Sequence, residues 1–162
     1  MTTPIDISHL RRCVELASEA LAAGDSPFGS ILVSADGTVL QEERNRVVTT
    51  NDVTAHPELT LVKWAQKNLS PEDRAASTVY TSGEHCPMCA TAHAFAGMGR
   101  IVYAASTEQL VAWRKEIGVT TGPVAPLAIN QVAPGLVVEG PVEELSDRVR
   151  ELHRVKHLGE GA

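Results

Sequence analysis

The sequence is poor in cysteine, in aromatic residues and in long apolar runs. Its 162 residues include three cysteines, an odd number that does not suit the disulfide framework of a small secreted protein. No run approaches the roughly 20 apolar residues that a membrane-spanning helix needs, and the N-terminal segment lacks the apolar stretch of a signal peptide. We therefore expect a cytoplasmic protein that contacts no membrane and in which Cys86 and Cys89 serve metal or redox chemistry.

Positive charge is also scarce. The 14 Lys and Arg against 20 Asp and Glu give a net charge of −6, whereas proteins that neutralise many phosphates carry a basic surface. Nucleic acid is therefore a disfavoured partner. The basic segment "RVRELHRVKH" near the C-terminus is interpreted as the solvated face of a last helix.

The composition that is present suits one globular domain over residues 1–162. Hydrophobic residues make up 43% of the chain and charged residues 21%, which is enough for a substantial core. A length of 162 residues is short for two domains. Apolar spacing predicts a first helix from an N-cap at Ser8 to Gly24. The next two apolar segments, joined by Asp36-Gly37, are typical of a β-hairpin.

Strands and helices alternate through the rest of the chain. The segments "HPELTLVKWAQKNL", "CPMCATAHAFAGM" and "EQLVAWRKEIG" predict helices, and "STVYTS" and "RIVYAAS" predict buried strands. Residues 119–135 are rich in Pro and Gly and predict a loop, followed by the edge strand "LVVEG" and an amphipathic closing helix. The fold class is therefore α/β, with three layers and a mixed sheet of about five strands.

Two of these helices begin with residues that can bind a metal. One start carries His56-x-Glu58 and the next carries Cys86-x-x-Cys89, and a parallel arrangement would bring both to one edge of the sheet. An imidazole and two thiolates suit Zn²⁺, with a fourth position left for water as in catalytic sites. A helix N-terminus also lowers the pKa of a thiol, which eases metal binding.

The cysteine pair by itself leaves other interpretations open. Cys86 and Cys89 could form a redox dithiol or half of a structural zinc site. His93, four residues after Cys89, could complete a closed site of two cysteines and two histidines. Such a site would have no position for water and could not support hydrolysis.

Taken together, the motifs resemble the zinc-dependent deaminases of the cytidine/nucleotide deaminase superfamily, with their pattern H-x-E…P-C-x-x-C. The similarity covers about residues 8–117, through "SPFGSILV", Asn45 in "ERNRV", "VTAHPEL" and "VYTSGEHCPMCA". It is strongest toward the nucleobase branch, which contains guanine deaminases, fungal-type cytosine deaminases and tRNA adenosine deaminases. The resemblance implies a cytidine-deaminase-like α/β/α fold.

The resemblance also implies a set of roles. His56, Cys86 and Cys89 would hold one Zn²⁺ per chain, and Glu58 would carry protons between the attacking water and the substrate. Asn45 would anchor one edge of the substrate ring, since an amide offers both a donor and an acceptor.

Further substrate contacts are predicted around these residues. The aromatic residues Phe28, Phe95 and Trp113 are candidates for stacking on a flat heterocycle, in a chain with only 4% aromatic residues. Glu84 is a candidate acceptor for an amino group, and His85 a candidate substrate-facing group.

Two positions depart from the family pattern. The usual His-Ala-Glu is His56-Pro57-Glu58 here, which a first helical position tolerates because proline fixes φ near the helical value. The usual proline before the first cysteine is His85. We expect this second change to bear on substrate identity more than on the chemistry.

The predicted function is hydrolytic removal of an exocyclic amino group, with release of ammonia. The resemblance implies a free nucleobase or related heterocycle as substrate: guanine, cytosine, or an amino-purine, amino-pyrimidine or triazine. A homodimer is expected, as is common in the family. The alternatives are a tRNA adenosine deaminase, a nucleoside deaminase acting on guanosine or cytidine, and a non-enzymatic dithiol or structural zinc protein.

Overall fold

The computed structural model describes residues 1–120 and 122–161. Thr121 in the predicted loop and Ala162 at the end of the predicted domain lie outside the described residues. The strands are β1 (Gly29–Val33), β2 (Val39–Arg44), β3 (Thr78–Gly83), β4 (Arg100–Ala105) and β5 (Val138–Glu139). The helices are α1 (Pro4–Ala22), α2 (Val47–Thr50), α3 (Pro57–Asn68), α4 (Pro71–Ala76), α5 (Pro87–Phe95), α6 (Thr107–Glu116), α7 (Ile129–Val132) and α8 (Glu143–Leu158).

The five strands form one mixed sheet in the order β2-β1-β3-β4-β5. Strand β1 is antiparallel to both β2 and β3, whereas β3, β4 and β5 are parallel to one another. It follows that β2 runs in the same direction as β3 and β4, and that all three end at one edge of the sheet, here called the carboxyl edge. The predicted mixed sheet and its β5 edge strand are confirmed.

Alternating residues of the sheet build two separate core layers. On one face, buried side chains of β1, β3 and β4 such as Ile31, Tyr80 and Val102 form a cluster with residues of α1 and α8. On the other face, Leu32 and Val79 pack with residues of α3, and Ile101 packs with residues of α5 and α7. This period of two, with helices on both faces, confirms the predicted three-layer α/β/α class.

The start of α1 was predicted wrongly. The helix begins at Pro4 with Thr3 as its N-cap, not at Ser8, because Thr3 and Asp6 form a reciprocal capping box in which each side chain binds the other's backbone N–H. Proline at the first helical position reinforces this start. None of the described helices is long and apolar enough to cross a bilayer.

Three short helices lie outside the helices predicted from the sequence, and one of them, α7, lies in the predicted loop of residues 119–135. They are α2, α4 and α7, of four, six and four residues. The side chain of Ser70 caps α4 by accepting from the backbone N–H of Asp73. Helices this short show too little apolar periodicity to be recognised in a sequence.

Candidate active site

The predicted metal-binding residues lie at the starts of two neighbouring helices. His56 is the N-cap of α3 and Cys86 the N-cap of α5. In both helices the next residue is a proline, Pro57 or Pro87, which suits a first position whose N–H has no partner within the helix. Helix α5 directly follows β3, so this part of the site lies at the carboxyl edge. The predicted placement of both motifs at helix starts is confirmed.

Three side chains converge on one point. The Nδ1 atom of His56 lies 3.6 Å from the Sγ atoms of both Cys86 and Cys89, and the three ligand atoms all lie within 4.8 Å of one another. With Zn–S near 2.3 Å and Zn–N near 2.0–2.1 Å, tetrahedral angles place a sulfur and a nitrogen roughly 3.6 Å apart. The cluster could therefore hold a single tetrahedral Zn²⁺.

One thiol of the cluster, that of Cys86, is electrostatically prepared to act as a ligand, whereas the hydrogen bond with Cys86 and burial raise the pKa of Cys89. Hydrogen bonding from Cys89 and from His56 outweighs the effect of burial and lowers the pKa of Cys86 to about 4. The contact with Cys86 in turn raises the pKa of His56. Since thiolates, not thiols, bind zinc, Cys86 presents the anionic form that a metal requires at neutral pH.

Glu58 is buried beside the cluster. Its side chain is 4% exposed, and its Oε2 lies 3.9 Å from the Sγ of Cys89. The hydroxyl of Thr81, on β3, lies 3.3 Å from Oε1 and can donate either to it or to the carbonyl of Gly83 at 3.0 Å. Burial raises the pKa of Glu58 to about 7, and a cation bound at the cluster would lower this pKa by favouring the carboxylate. A carboxyl group in this environment can both accept and return a proton near neutral pH.

Asn45 directly follows β2 at the same carboxyl edge and is 2% exposed. Its backbone N–H donates to the carbonyl of Phe28 at 3.0 Å, which fixes it to the chain entering β1. Its side-chain Oδ1 accepts from the backbone N–H of Val47 at 3.1 Å, while its NH₂ group has no partner in the part of the chain that the structure describes. The group that remains for a ligand is therefore a hydrogen-bond donor.

Glu84 is engaged in a different way from the one predicted. Its two carboxylate oxygens accept from the backbone N–H groups of Thr107 and Ile129, both at 2.8 Å. These residues are the first of α6 and α7, so the carboxylate joins two helix starts to the end of β3. Each oxygen thus already accepts from one backbone N–H, and acceptance from a substrate amino group stays a prediction.

His85 is completely buried, and within residues 1–120 and 122–161 neither of its ring nitrogens has a hydrogen-bond partner. Its ring packs edge-on against that of His93, with 5.3 Å between the centroids. His93 pairs through Nε2 with the carbonyl of Gly99 at 2.8 Å and is not part of the His56, Cys86 and Cys89 cluster. The four-ligand closed site, one of the alternatives from the sequence, is thus not formed.

The three predicted stacking residues separate into two groups. Phe28 and Trp113 line one small depression together with Gly83 and Glu84 at the end of β3. Phe95, the last residue of α5, is 88% exposed and lies two turns beyond the cysteines. Within one chain it is on the outer surface, so its predicted role in stacking on a substrate is not supported.

His153 is a residue of this region to which the sequence assigned no role. It lines the same depression as Phe28 and Trp113, and its ring lies 4.9 Å from that of Phe28. It is 2% exposed, and burial lowers its pKa to about 3. Its spacing of four and eight residues from the buried Val149 and Leu145 is the signal that could have placed it on the inner face of α8.

The chain is similar to several deaminases of known name. It is 42% identical to the guanine deaminase of Bacillus subtilis over 60% of this chain and 63% of that protein. It is 29% identical to a probable cytosine deaminase of Schizosaccharomyces pombe over 95% of this chain and 91% of that protein. A tRNA-specific adenosine deaminase of Agrobacterium fabrum is 39% identical, over 54% of this chain and 59% of that protein.

Solved structures support the same fold. The structure of a guanine deaminase from Nitrosomonas europaea superposes with a TM-score of 0.72 at 23% identity, covering 96% of this chain and 85% of that one. The model of the MafB19-like deaminase family matches residues 6–133, well over half of the sequence. The chain therefore belongs to the MafB19-like deaminase family, within the deaminase superfamily that its motifs resemble.

Proposed function

We propose that this protein is a zinc-dependent hydrolytic deaminase that removes an exocyclic amino group from a free nucleobase or a related heterocycle. The observation that carries the proposal is the three-ligand cluster of His56, Cys86 and Cys89 with the buried carboxyl group of Glu58 next to it. Three protein ligands leave one tetrahedral position open, which distinguishes a catalytic zinc site from a structural one. Bound Zn²⁺ would supply the nucleophile by lowering the pKa of a coordinated water to about 7.

Glu58 performs the proton transfers in this mechanism. Its carboxylate accepts a proton from the attacking water and delivers it to the ring nitrogen next to the aminated carbon. The water oxygen bonds to that carbon, which becomes tetrahedral. Glu58 then transfers the second proton to the amino group, the carbon–nitrogen bond breaks, and ammonia leaves the oxo heterocycle. The hydrogen bond from Thr81 keeps the carboxyl group in place between these steps.

Asn45 is proposed to bind the substrate edge. Because its Oδ1 is occupied by the N–H of Val47, it contributes the N–H donors of its amide. The preferred substrates then present an acceptor on that edge, as the carbonyl oxygens of guanine and cytosine do. Phe28 and Trp113 are the proposed apolar wall. His85, where this chain departs from its family, is buried against His93 and is not proposed to contact the substrate.

The remaining parts of the proposal concern partners and location. A homodimer is proposed, supported by the exposure of Met88 and Phe95 on α5, 36% and 88% respectively, because apolar side chains of this size are usually covered. Sedimentation velocity of the purified chain tests whether it forms this dimer.

A cytoplasmic location is proposed because a reducing compartment keeps paired thiols available for a metal.

The experiment that tests the function is a screen for ammonia release by the zinc-loaded protein. The panel contains guanine, cytosine, adenine, amino-triazines, the corresponding nucleosides and a tRNA. Turnover of one or more free bases is the expected result. Turnover of tRNA alone, falling steeply with salt, would instead establish the tRNA adenosine deaminase alternative. A protein that binds zinc and releases ammonia from nothing in the panel would contradict the proposal.

A further inference from the structure

Asp25 is a fully buried carboxylate whose partners all lie in one short segment. It is 0% exposed, and its Oδ1 accepts from the backbone N–H groups of Val48 and Thr49, both at 2.9 Å. Its Oδ2 accepts from the hydroxyl of Thr49 and from the guanidinium of Arg44, the latter at 3.2 Å. A buried carboxylate is costly unless it is paired and hydrogen-bonded, and among the described residues the hydrogen bonds to this carboxylate all come from residues 44–49.

The same segment contains Asn45. On one side of it, Arg44 donates both to Asp25 and to the backbone carbonyl of Asn45, at 3.3 Å for the second contact. On the other side, the N–H of Val47 holds the Oδ1 of Asn45, and the two N–H groups that follow Val47 in α2 bind Asp25. Asp25 therefore secures both flanks of the residue proposed to bind the substrate.

We propose that Asp25 is a positioning residue for substrate binding: it holds Arg44 and the α2 turn so that the NH₂ group of Asn45 points at the substrate. The inference rests on the proposed deaminase function. Asp25 does not contact the substrate and acts through Asn45. Burial acts to raise the pKa of Asp25, but hydrogen bonds from Thr49, Val48 and Arg44 outweigh it and lower the pKa, so both oxygens remain acceptors.

Asp25→Asn tests the proposal. The substitution keeps the volume but turns one acceptor into a donor that faces N–H and guanidinium groups. KM for the best base of the screen is expected to rise about tenfold while kcat stays within about twofold, because uniform binding is lost and the zinc cluster is untouched. A fall in kcat with unchanged KM would overturn the proposal.

Asp6→Asn is the matched control. Asp6 is also a buried carboxylate, 2% exposed, that accepts from an arginine and a hydroxyl, Arg100 and Tyr80. Arg100 begins β4, so this network lies at the edge of the sheet opposite to the site. Asp6→Asn is expected to lower thermal stability and leave KM unchanged. An equal rise of KM in both variants would mean that Asp25 is only structural.

A double-mutant cycle tests whether Asp25 acts through Asn45. Introduced into Asn45→Ala, the Asp25→Asn substitution is expected to change KM less than about twofold, because the group that it positions is gone. The same tenfold rise in both backgrounds would overturn the proposal. If Asp25→Asn does not fold, Thr49→Val removes one bond at an exposed residue, and its smaller rise in KM must likewise disappear in Asn45→Ala.

Amide hydrogen exchange separates this inference from the proposed function. In Asp25→Asn, the amides of Val48 and Thr49 are expected to exchange at least tenfold faster than in the wild type, with no such change in Asp6→Asn. Unchanged exchange at these two amides would overturn the positioning role, whatever the protein deaminates. Absence of turnover with faster exchange would overturn the function and the substrate-binding role, while showing that Asp25 orders α2.

Discussion

Burial and neighbouring groups shift the pKa of the Glu58 carboxyl group in opposite directions. Burial raises the pKa of Glu58, whereas the charge of His56 and the hydrogen bond from Thr81 lower it, and the result is about 7. A proton carrier is most effective when its pKa lies near the working pH. The position of Glu58, two residues after one metal ligand and 3.9 Å from another, places this proton carrier beside the cluster. A bound cation would lower its pKa from this value and favour the carboxylate that accepts the first proton.

The first prediction concerns Glu58→Gln. Glutamine keeps the volume and can still accept from Thr81, so the fold and the three-ligand cluster should survive. Without a carboxyl group to transfer protons, kcat should fall by at least about 10²–10⁴-fold. Zinc content by atomic emission and ammonia release measured on the same sample check both halves of the prediction.

Cys86→Ser is the companion variant, in which a ligand is lost instead of the proton carrier. Zinc content and turnover should then fall together, because serine is not deprotonated at neutral pH and binds zinc poorly. If Glu58→Gln turns over substrate as fast as the wild type, Glu58 is not the group that transfers protons.

The site residues that the sequence predicts differ in kind from those that it misses. His56, Glu58, Cys86 and Cys89 belong to two short motifs at helix starts, so spacing and side-chain chemistry were sufficient to find them. Asp25 binds residues more than 20 positions away, and no local pattern records such a contact. Glu84 stands beside a motif, yet its oxygens bind backbone groups that only the folded chain brings near it.

At the scale of elements, α1 and β1 approach each other closely at Gly29. A Cβ at this position would lie 2.4 Å from the carbonyl oxygen of Cys13 and 2.7 Å from the backbone nitrogen of Ala17. Both atoms are backbone of α1 and cannot move aside as a flexible side chain would. The absence of a side chain at Gly29 is thus what lets α1 lie directly on the sheet.

The second prediction is that Gly29→Ala destabilises the protein by about 1–3 kcal/mol, as overpacking of a core does. Chemical denaturation with urea measures the change. Gly135→Ala is the control, since an added Cβ there meets no atom within 4 Å, and its effect should stay within about 0.5 kcal/mol. Equal stability of the two variants would mean that α1 adjusts freely on β1.

Long elements were predictable because their burial is periodic, and short ones were not. Helix α3 buries Leu61, Val62 and Ala65 on one side, and that spacing is visible in the sequence. Helix α2 has no buried residue. It is held by Asp25 from outside, so its structure depends on a tertiary contact and not on its own four residues.

At the scale of the whole molecule, burial of histidines couples stability to pH. Burial lowers the pKa of His85, His93 and His153, to about 3 for His153. Below pH 6.5 the unfolded chain takes up protons at these residues that the folded chain does not, so stability falls as the pH decreases from 6.5. The carboxylates Asp6 and Asp25, whose pKa values are also lowered, add to this loss only below about pH 4.

The third prediction isolates His153, the buried histidine of α8. The pKa of His153 is about 3 in the folded chain and 6.5 in the unfolded chain. At pH 4.5 this difference lowers the free energy of unfolding by about 2–3 kcal/mol. His153→Leu removes this contribution and keeps an apolar side chain at the position. The difference in unfolding free energy between pH 8 and pH 4.5 should therefore shrink by about 2 kcal/mol, measured with a chelator present so that metal release does not contribute.

His157→Leu, one turn further along α8 at an exposed position, is the control for this measurement. Its pH difference should shrink by less than that of His153→Leu: burial and the charges of Arg114 and Lys156 lower the pKa of His157 as well, but solvent weakens such effects at an exposed residue. If the unfolding free energy of His153→Leu changes between pH 8 and pH 4.5 as much as that of the wild type, His153 does not contribute to the loss of stability in acid. The acid sensitivity would then arise from His85 and His93, because burial lowers the pKa of both.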